Sequence, residues 1–432
     1  CIVILPMRDA TYDTYKSEPP LDTVVRDLVF RIDPPDLLRV LQARLDYITR
    51  ITEQSSNTYI LENGMRVAVK RAELIEYFKY IIVAIRKDRW VANLFYRLAD
   101  KNTRNGIQIF EDFCKSGHMK EKDILAMRVL GDDAQIPAYR FENVLLRKNR
   151  RFYNGDESNF VNLFASDYND DFPDPFVRAD ILNWLYQVQA LSGPTGDKGL
   201  FQVSELARSL QVYGHSLAVI YRELAYLARK NLVLCENSAM PIEEGDLVKI
   251  TIPGALHLQM LRNVSYLSAC AEDTLFKNTE VMTRISNRLK FHESDSKLVV
   301  ALNARDLVNY LIEYRKEYLT NSDELVSEKA IISSVDLNDS LHAVEQWIQA
   351  DENLKKTISE IDYFTVDMDV DACVVSKNSG GVVCTIADKD VKGFISSLEP
   401  KYSFPRDVYS KIKPGVMEFD FTHRSFQLKY LN

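Results

Sequence analysis

The spacing of apolar positions changes twice along this chain of 432 residues. It is helical at first, mixed in the middle, and alternating at the end. Cys-Ile-Val-Ile-Leu at positions 1–5 reads as a buried strand that stops at Pro6-Met7-Arg8-Asp9, and 29–32 reads as a second short strand. Asp33-Pro34-Pro35-Asp36 then opens a helix. Asp33 suits the N-cap and the prolines suit the first turn, while Leu37, Leu38, Leu41 and Leu45 follow at helical spacing. A second helix is predicted over 71–85, with Leu74, Phe78 and Ile81 on one face. A third covers 90–99. Asn102-Thr103-Arg104 opens a fourth, carrying Ile107, Ile109, Phe110 and Phe113. Residues 119–166, with the basic run Arg147-Lys148-Asn149-Arg150-Arg151, read as a connector.

From 167 to 254 the pattern is compact. An acidic stretch (167–174) precedes a helix over 176–191, a strand at 201–203, a helix at 205–210 and a helix at 216–229. Strands at 233–235 and 247–252 close the segment. That order is the order of a winged helix, a helix-turn-helix variant. Residues 255–350 read as mostly helical. Beyond Tyr363 the period falls to two, with Val366, Met368 and Val370 alternating against Asp367, Asp369 and Asp371. Short strands then follow, so 351–432 is expected to be a small β-barrel. The fold class expected is therefore mainly α with α+β modules.

Composition narrows the partners. The net charge of −8 argues against a protein that coats nucleic acid without selectivity. No apolar run reaches the roughly 20 residues that a membrane-spanning helix needs. Six cysteines without a C-x-x-C pair argue against zinc or disulfide frameworks and fit reduced thiols in a cytoplasmic protein. None of the six histidines has metal-ligand spacing, and no nucleophile motif stands out. The acidic alternation at Asp367, Asp369 and Asp371 reads as a solvated strand face. Gly193-Pro194-Thr195-Gly196-Asp197-Lys198-Gly199 lacks the spacing and the Ser or Thr of a phosphate loop, so it reads as a turn.

The strand ending in Arg8, the proline-rich helix entry with Arg44, and Asn102-Thr103-Arg104 at the start of an apolar helix together resemble AAA+ and STAND ATPases. The likeness extends to origin-recognition initiator ATPases and bacterial STAND defence ATPases. It covers about Cys1 to Gly254 and rests on the order of the pieces. It implies that 1–118 holds the last strand or strands of an ATPase core and a helical lid. It also implies that ATP and Mg2+ are bound together with residues preceding Cys1, which would carry the phosphate loop. Arg8 would then sense the γ-phosphate, and Arg104, beside Asn102, would report it to the lid; Arg44 has the weaker claim, with Asp46 or Asp36 as its alternative partners. An arginine at a helix N-terminus fits such a role because its fork grips phosphate oxygens where the helix dipole already favours anions. Assembly into a homo-oligomer, and a role in anti-phage defence, are also implied.

The alternative is a module that binds DNA or RNA. His215, Ser216 and Arg222 would form the reading edge of the winged helix. Lys392, Phe394 and Tyr409 would form a stacking face on a barrel that resembles cold-shock and OB domains.

Overall fold

The computed structural model describes residues 34–51, 56–60, 66–116, 118, 129, 137–170, 173–236, 241–291, 296–318, 334–364, 368–378, 381–386, 391–396, 411–412, 414–420 and 425–430. The chain is mainly helical, with small sheets. It divides into two compact units. One comprises Cys1–Leu275 and Leu307–Ser340, the other Phe276–Asp306 and Leu341–Asn432.

In the first unit the four expected helices form as α1 (Leu37–Ile51), α2 (Arg71–Lys87), α3 (Arg89–Ala99) and α4 (Thr103–Lys115). Helix α1 starts later than expected, with Asp36 accepting from Arg39 N at 2.8 Å and Pro34 and Pro35 ahead of the first turn, while Asp33 lies outside the described residues. Asp88 caps α3 by accepting from the amides of Trp90 and Val91 at 2.9 and 3.1 Å. Asn102 caps α4 by accepting from those of Arg104 and Asn105 at 3.1 and 3.2 Å. Each cap satisfies amides that the first helical turn leaves open. The apolar spacing of α3 buries Val91, Leu94, Phe95 and Leu98. Between α1 and α2 lie β1 (Ser56–Ile60) and β2 (Arg66–Lys70), an antiparallel pair in the register Ser56↔Lys70.

The segment expected to be a connector contains a deeply enclosed helix. Every residue from Arg140 to Arg147 in α5 (Ala138–Arg147) is buried, as are Phe160, Val161, Asn162, Leu163 and Phe164 after it. Phe141 packs on Phe113 of α4, ring centroids 4.9 Å apart. Charged residues made α5 look like surface. Glu142 and Arg147 are enclosed because each finds a partner, as described below.

Each helix and strand expected between Phe176 and Ile252 forms. They are α6 (Val177–Val188), β3 (Phe201–Gln202), α7 (Val203–Val212), α8 (Leu217–Arg229), β4 (Val233–Cys235) and β5 (Leu247–Ile250). The strands pair antiparallel in the order β3-β5-β4. Helices α9 (Ile252–Met260) and α10 (Val264–Asp273) follow. Gly254 lies where a Cβ would stand 2.2 Å from the carbonyl oxygen of Leu232, so only glycine fits this approach of α9 to the strand entry.

The second unit contains α11 (Thr279–Phe291), the start of α12 (Lys297–Tyr318), most of α13 (Asn338–Gln349), α14 (Glu352–Tyr363) and a six-stranded sheet. Its strands are β6 (Ala372–Asn378), β7 (Gly381–Ile386), β8 (Val391–Ser396), β9 (Lys411–Ile412), β10 (Pro414–Asp420) and β11 (Ser425–Tyr430), in the order β10-β11-β8-β7-β6-β9. All pairs are antiparallel except β11 with β8. Val374, Val382, Cys384, Ile386, Ile395, Phe426 and Leu428 form the core of this sheet. A closed barrel is not found among the described ladders. The consecutive strands β9 and β10 end the order on opposite sides. Two further hydrogen bonds cross there, from Val370 N to Pro414 O (3.0 Å) and from Val416 N to Met368 O (2.9 Å).

Candidate functional site

Three groups of side chains bear on function. The first comprises the residues expected to meet nucleotide. Arg104 is exposed in the first turn of α4 and has no ion pair among the described residues. The side chain of Asn102 is committed to capping. Arg44 is exposed on α1. The acids expected to hold it are engaged elsewhere, Asp46 with Lys79 at 3.3 Å and Asp36 with the Tyr96 hydroxyl at 2.8 Å. Arg8 lies outside the described residues.

The second group surrounds α8, and here the placement of His215 differs from a DNA-reading edge. Its ring is enclosed, 3 % exposed. Nδ1 faces Asp174 Oδ2 at 2.5 Å and Nε2 faces Asp180 Oδ2 at 2.9 Å. A ring between two carboxylates donates from both nitrogens, which requires the charged form. Burial alone would lower its pKa. The two hydrogen bonds and the two negative charges outweigh burial and push it up to about 10. Asp180 is fully buried, which raises a carboxyl. The hydrogen bond and charge of His215, then Arg315 at 4.0 Å and the Val335 amide, bring it below the ordinary value. The Ser334 hydroxyl donates to both of its oxygens at 2.8 Å. His215 therefore fastens the turn before α8 to Asp174 and to α6, and Asp180 in turn holds the segment at 334–335. A glycine-histidine-serine turn before a helix looks like surface in sequence, since the aspartates that enclose the ring lie 41 and 35 residues away.

Ser216 is exposed at the N-cap of α8 and makes no capping hydrogen bond. Arg222 is not open to a base edge. Asp170 holds its guanidinium at both oxygens, at 2.6 and 2.7 Å, and Glu223 accepts from its Nε at 2.8 Å. The other Glu223 oxygen takes Arg178 Nε at 2.6 Å, and Arg178 stacks on the Tyr226 ring at 3.9 Å. The Tyr226 hydroxyl donates to Asp156 at 2.7 Å, and the Lys230 ammonium donates to the Asp156 carbonyl.

The third group is on the sheet of the second unit. Lys392 is exposed and Phe394 half-buried. They alternate with the inward residues Gly393 and Ile395, so both point outward. Phe394 lies opposite Val383 on one side and Gln427 on the other, and Lys392 lies opposite Thr385. Tyr409 lies outside the described residues.

Sequence reasoning missed the polar wiring of the first unit's interior. The Glu142 carboxylate, on α5, accepts from Trp90 Nε1 of α3 at 2.9 Å and from Asn263 Nδ2, the cap of α10, at 3.0 Å. Arg147 is paired with Glu272, both almost wholly enclosed. The irregular run 160–164 has its backbone satisfied by distant side chains. His257 Nε2 accepts from Val161 N at 2.9 Å. The Tyr266 hydroxyl accepts from Leu163 N at 3.2 Å and donates to Val161 O at 2.7 Å. Arg178 donates to Asn162 O at 3.1 Å. Burial lowers the His257 pKa to about 4, so this ring is neutral. It donates from Nδ1 to Pro253 O at 2.7 Å. Among the described residues no group of three or more His, Cys, Asp or Glu could hold a metal ion, and no helix is long and apolar enough to cross a membrane.

No protein-family model matches the chain, and no curated protein does. Among solved structures it is similar to a multidomain protein with nucleic acid binding domains from Streptococcus pneumoniae TIGR4, at 21% identity and a TM-score of 0.15 over 16% of this chain and 23% of that one. It is also similar to Mycoplasma genitalium RNase R, as the apo form and in complex with ribose-methylated single-stranded RNA. Each is at 11% identity and a TM-score of 0.16, over 59% of this chain and 40% of the other. The chain spans less than half the length of each. Superpositions this poor establish neither a shared fold nor a shared activity.

Proposed function

We propose that the chain is the lid and winged-helix part of an ATP-dependent switch of the AAA+/STAND kind, in which the winged helix transmits the nucleotide state and does not read bases. The observation that carries this reading is the Glu142 carboxylate. One buried group receives a donor from lid helix α3 and a donor from the cap of α10, beyond the three-stranded sheet. A buried acceptor with two donors resists losing either, because an unpaired donor there costs about 1–3 kcal/mol. A displacement of the lid is thus passed to the elements around the winged helix. Arg104 is exposed at the N-terminus of α4, and in this reading it is the group that meets phosphate. The reading requires Mg2+ and a phosphate loop that these residues do not supply, since they lack G-x-x-x-x-G-K-[ST]. Homo-oligomer formation is the output, with defence against phage as the setting that the family resemblance implies.

The test is mass measurement of the protein as its gene encodes it, with Mg2+ and either ADP or a slowly hydrolysed ATP analogue. A nucleotide-dependent change in oligomer mass is expected, and Arg104→Ala should abolish it without lowering thermal stability. A wild-type mass indifferent to nucleotide would sink the proposal.

A second reading concerns the C-terminal sheet, for which we infer a single-stranded nucleic-acid face on an OB-like barrel. The strand order, the parallel β8/β11 pair and the Val370–Pro414 and Val416–Met368 hydrogen bonds support closure. Phe394 and Lys392, outward on one strand, supply a stacking ring and a cation. Phe394→Ala should weaken binding of a labelled oligouridine in fluorescence anisotropy by about 1–3 kcal/mol. Equal affinity of variant and wild type would exclude this face.

A further inference from the structure

Helix α8 carries three donors in register. Arg222, Tyr226 and Lys230 are spaced i, i+4, i+8, so they form one stripe, with Lys230 just past the last turn. At about 1.5 Å per residue the stripe is ~12 Å long. All three donors are engaged by one segment of the chain. Asp170 takes Arg222 with both oxygens, Asp156 takes the Tyr226 hydroxyl with its carboxylate, and Asp156 takes Lys230 with its carbonyl. The segment between these acids is anchored in the interior by Val161 and Leu163, through His257 and Tyr266. Its ends lie on the helix. A carboxylate gripping an arginine fork occupies the geometry of a phosphate, and two acids along a cationic helix stand in for successive phosphates of a nucleic-acid backbone.

We infer that Asp156 and Asp170 are the acidic ends of a strap that cover a phosphate-binding stripe on α8, and that releasing these two ends, while 160–164 stay in the interior, gives the protein affinity for the phosphodiester backbone of a nucleic-acid duplex. The net charge of −8 keeps the covered state from binding nucleic acid without selectivity. The inference goes beyond the nucleotide switch and does not depend on it, because the stripe and the strap both lie within this chain. It also gives Arg222 a role that base reading does not. The residue is a phosphate-gripping group held in reserve, insensitive to sequence.

The experiment compares the wild-type protein with the double variant Asp156→Asn, Asp170→Asn, which keeps side-chain volume and removes the charge. Fluorescence anisotropy at low salt reads binding to a fluorescein-labelled DNA duplex and to an RNA duplex of the same sequence. The double variant should bind at least one duplex about tenfold or more tightly than wild type, with log affinity falling linearly against log salt. Adding Arg222→Ala and Lys230→Ala should cancel the gain and reduce the salt slope by ~1 for each cation removed. A folded double variant that binds neither duplex better than wild type overturns the inference, as does a gain that survives Arg222→Ala with Lys230→Ala. Should the double variant lose its circular dichroism, hydrogen exchange of the wild type decides. Saturating duplex should speed exchange of the amides near Asp156 and near Asp170, and unchanged exchange there overturns the inference.

Discussion

Replacing His215 tests whether the ring between Asp174 and Asp180 is held as a cation. His215→Gln keeps a polar side chain of comparable reach and removes the charge. It leaves two enclosed carboxylates, of which Asp180 retains Ser334, the Val335 amide and a distant Arg315. Breaking a buried pair from one side costs about 3–5 kcal/mol. Linkage gives the same scale. The pKa rises from 6.5 to about 10 on folding. A tenfold change in proton affinity is worth about 1.4 kcal/mol, so the ring contributes on the order of 4–5 kcal/mol. Because the folded value lies above the unfolded one, the contribution is complete below about pH 6.5. It falls by about 1.4 kcal/mol per pH unit as pH rises and is gone above about pH 10. Urea titrations followed by tryptophan fluorescence suit the measurement, since Trp90 and Trp184 both lie in this unit. Taking the difference between wild type and variant at each pH cancels the other titrating groups. The difference should shrink by roughly 3 kcal/mol between about pH 7 and pH 9. An equal difference at both pH values, or a loss under ~1 kcal/mol at neutral pH, would refute a charged His215.

Three further outcomes follow from the same interior. Tyr266→Phe leaves the Leu163 amide without its acceptor and should lower unfolding free energy by about 1–3 kcal/mol in a urea titration. His257 titrates in the opposite sense to His215. Its folded pKa of about 4 lies below the unfolded 6.5, so its contribution is present above about pH 6.5 and is lost as pH falls toward 4. Replacing it with Gln should therefore flatten the acid limb of a stability profile. Gly254→Ala sets a methyl group 2.2 Å from a backbone oxygen that cannot swing aside, and about 1–3 kcal/mol of overpacking strain should appear as a lower melting temperature.

The helices whose apolar residues recur at helical spacing were legible in the sequence. Those of α1 and α3 are examples, and the Asn102 cap of α4 was visible in the residue itself. The strands β4 and β5 were legible because turn residues bracket them. The interior role of α5 was not. Arg140, Glu142 and Arg147 carry the signature of a wet surface, and only Trp90, Asn263 and Glu272, all more than 50 residues away in sequence, make the burial of Glu142 and Arg147 tolerable. The antiparallel pair β1 and β2 is short, five residues to a strand, and its positions do not alternate cleanly between apolar and polar. His215 and Arg222 stand out by residue type and helix position. What each does is decided by acids at 170, 174 and 180, and sequence spacing says nothing of such meetings.

The wiring between 140–164 and 257–272 also sets a schedule for synthesis. The bonds Val161–His257, Leu163–Tyr266 and Arg147–Glu272 close loops of 96, 103 and 125 residues. A ribosome adding ~5–20 residues per second needs about 6–25 s to make the last of these spans. For that interval α5 has emerged with its aromatic and aliphatic side chains and its arginine still awaiting their partners. The first four helices can pack early, but the middle of this unit cannot. The nascent chain thus passes through a stage with an apolar, half-wired surface of the kind that chaperones bind.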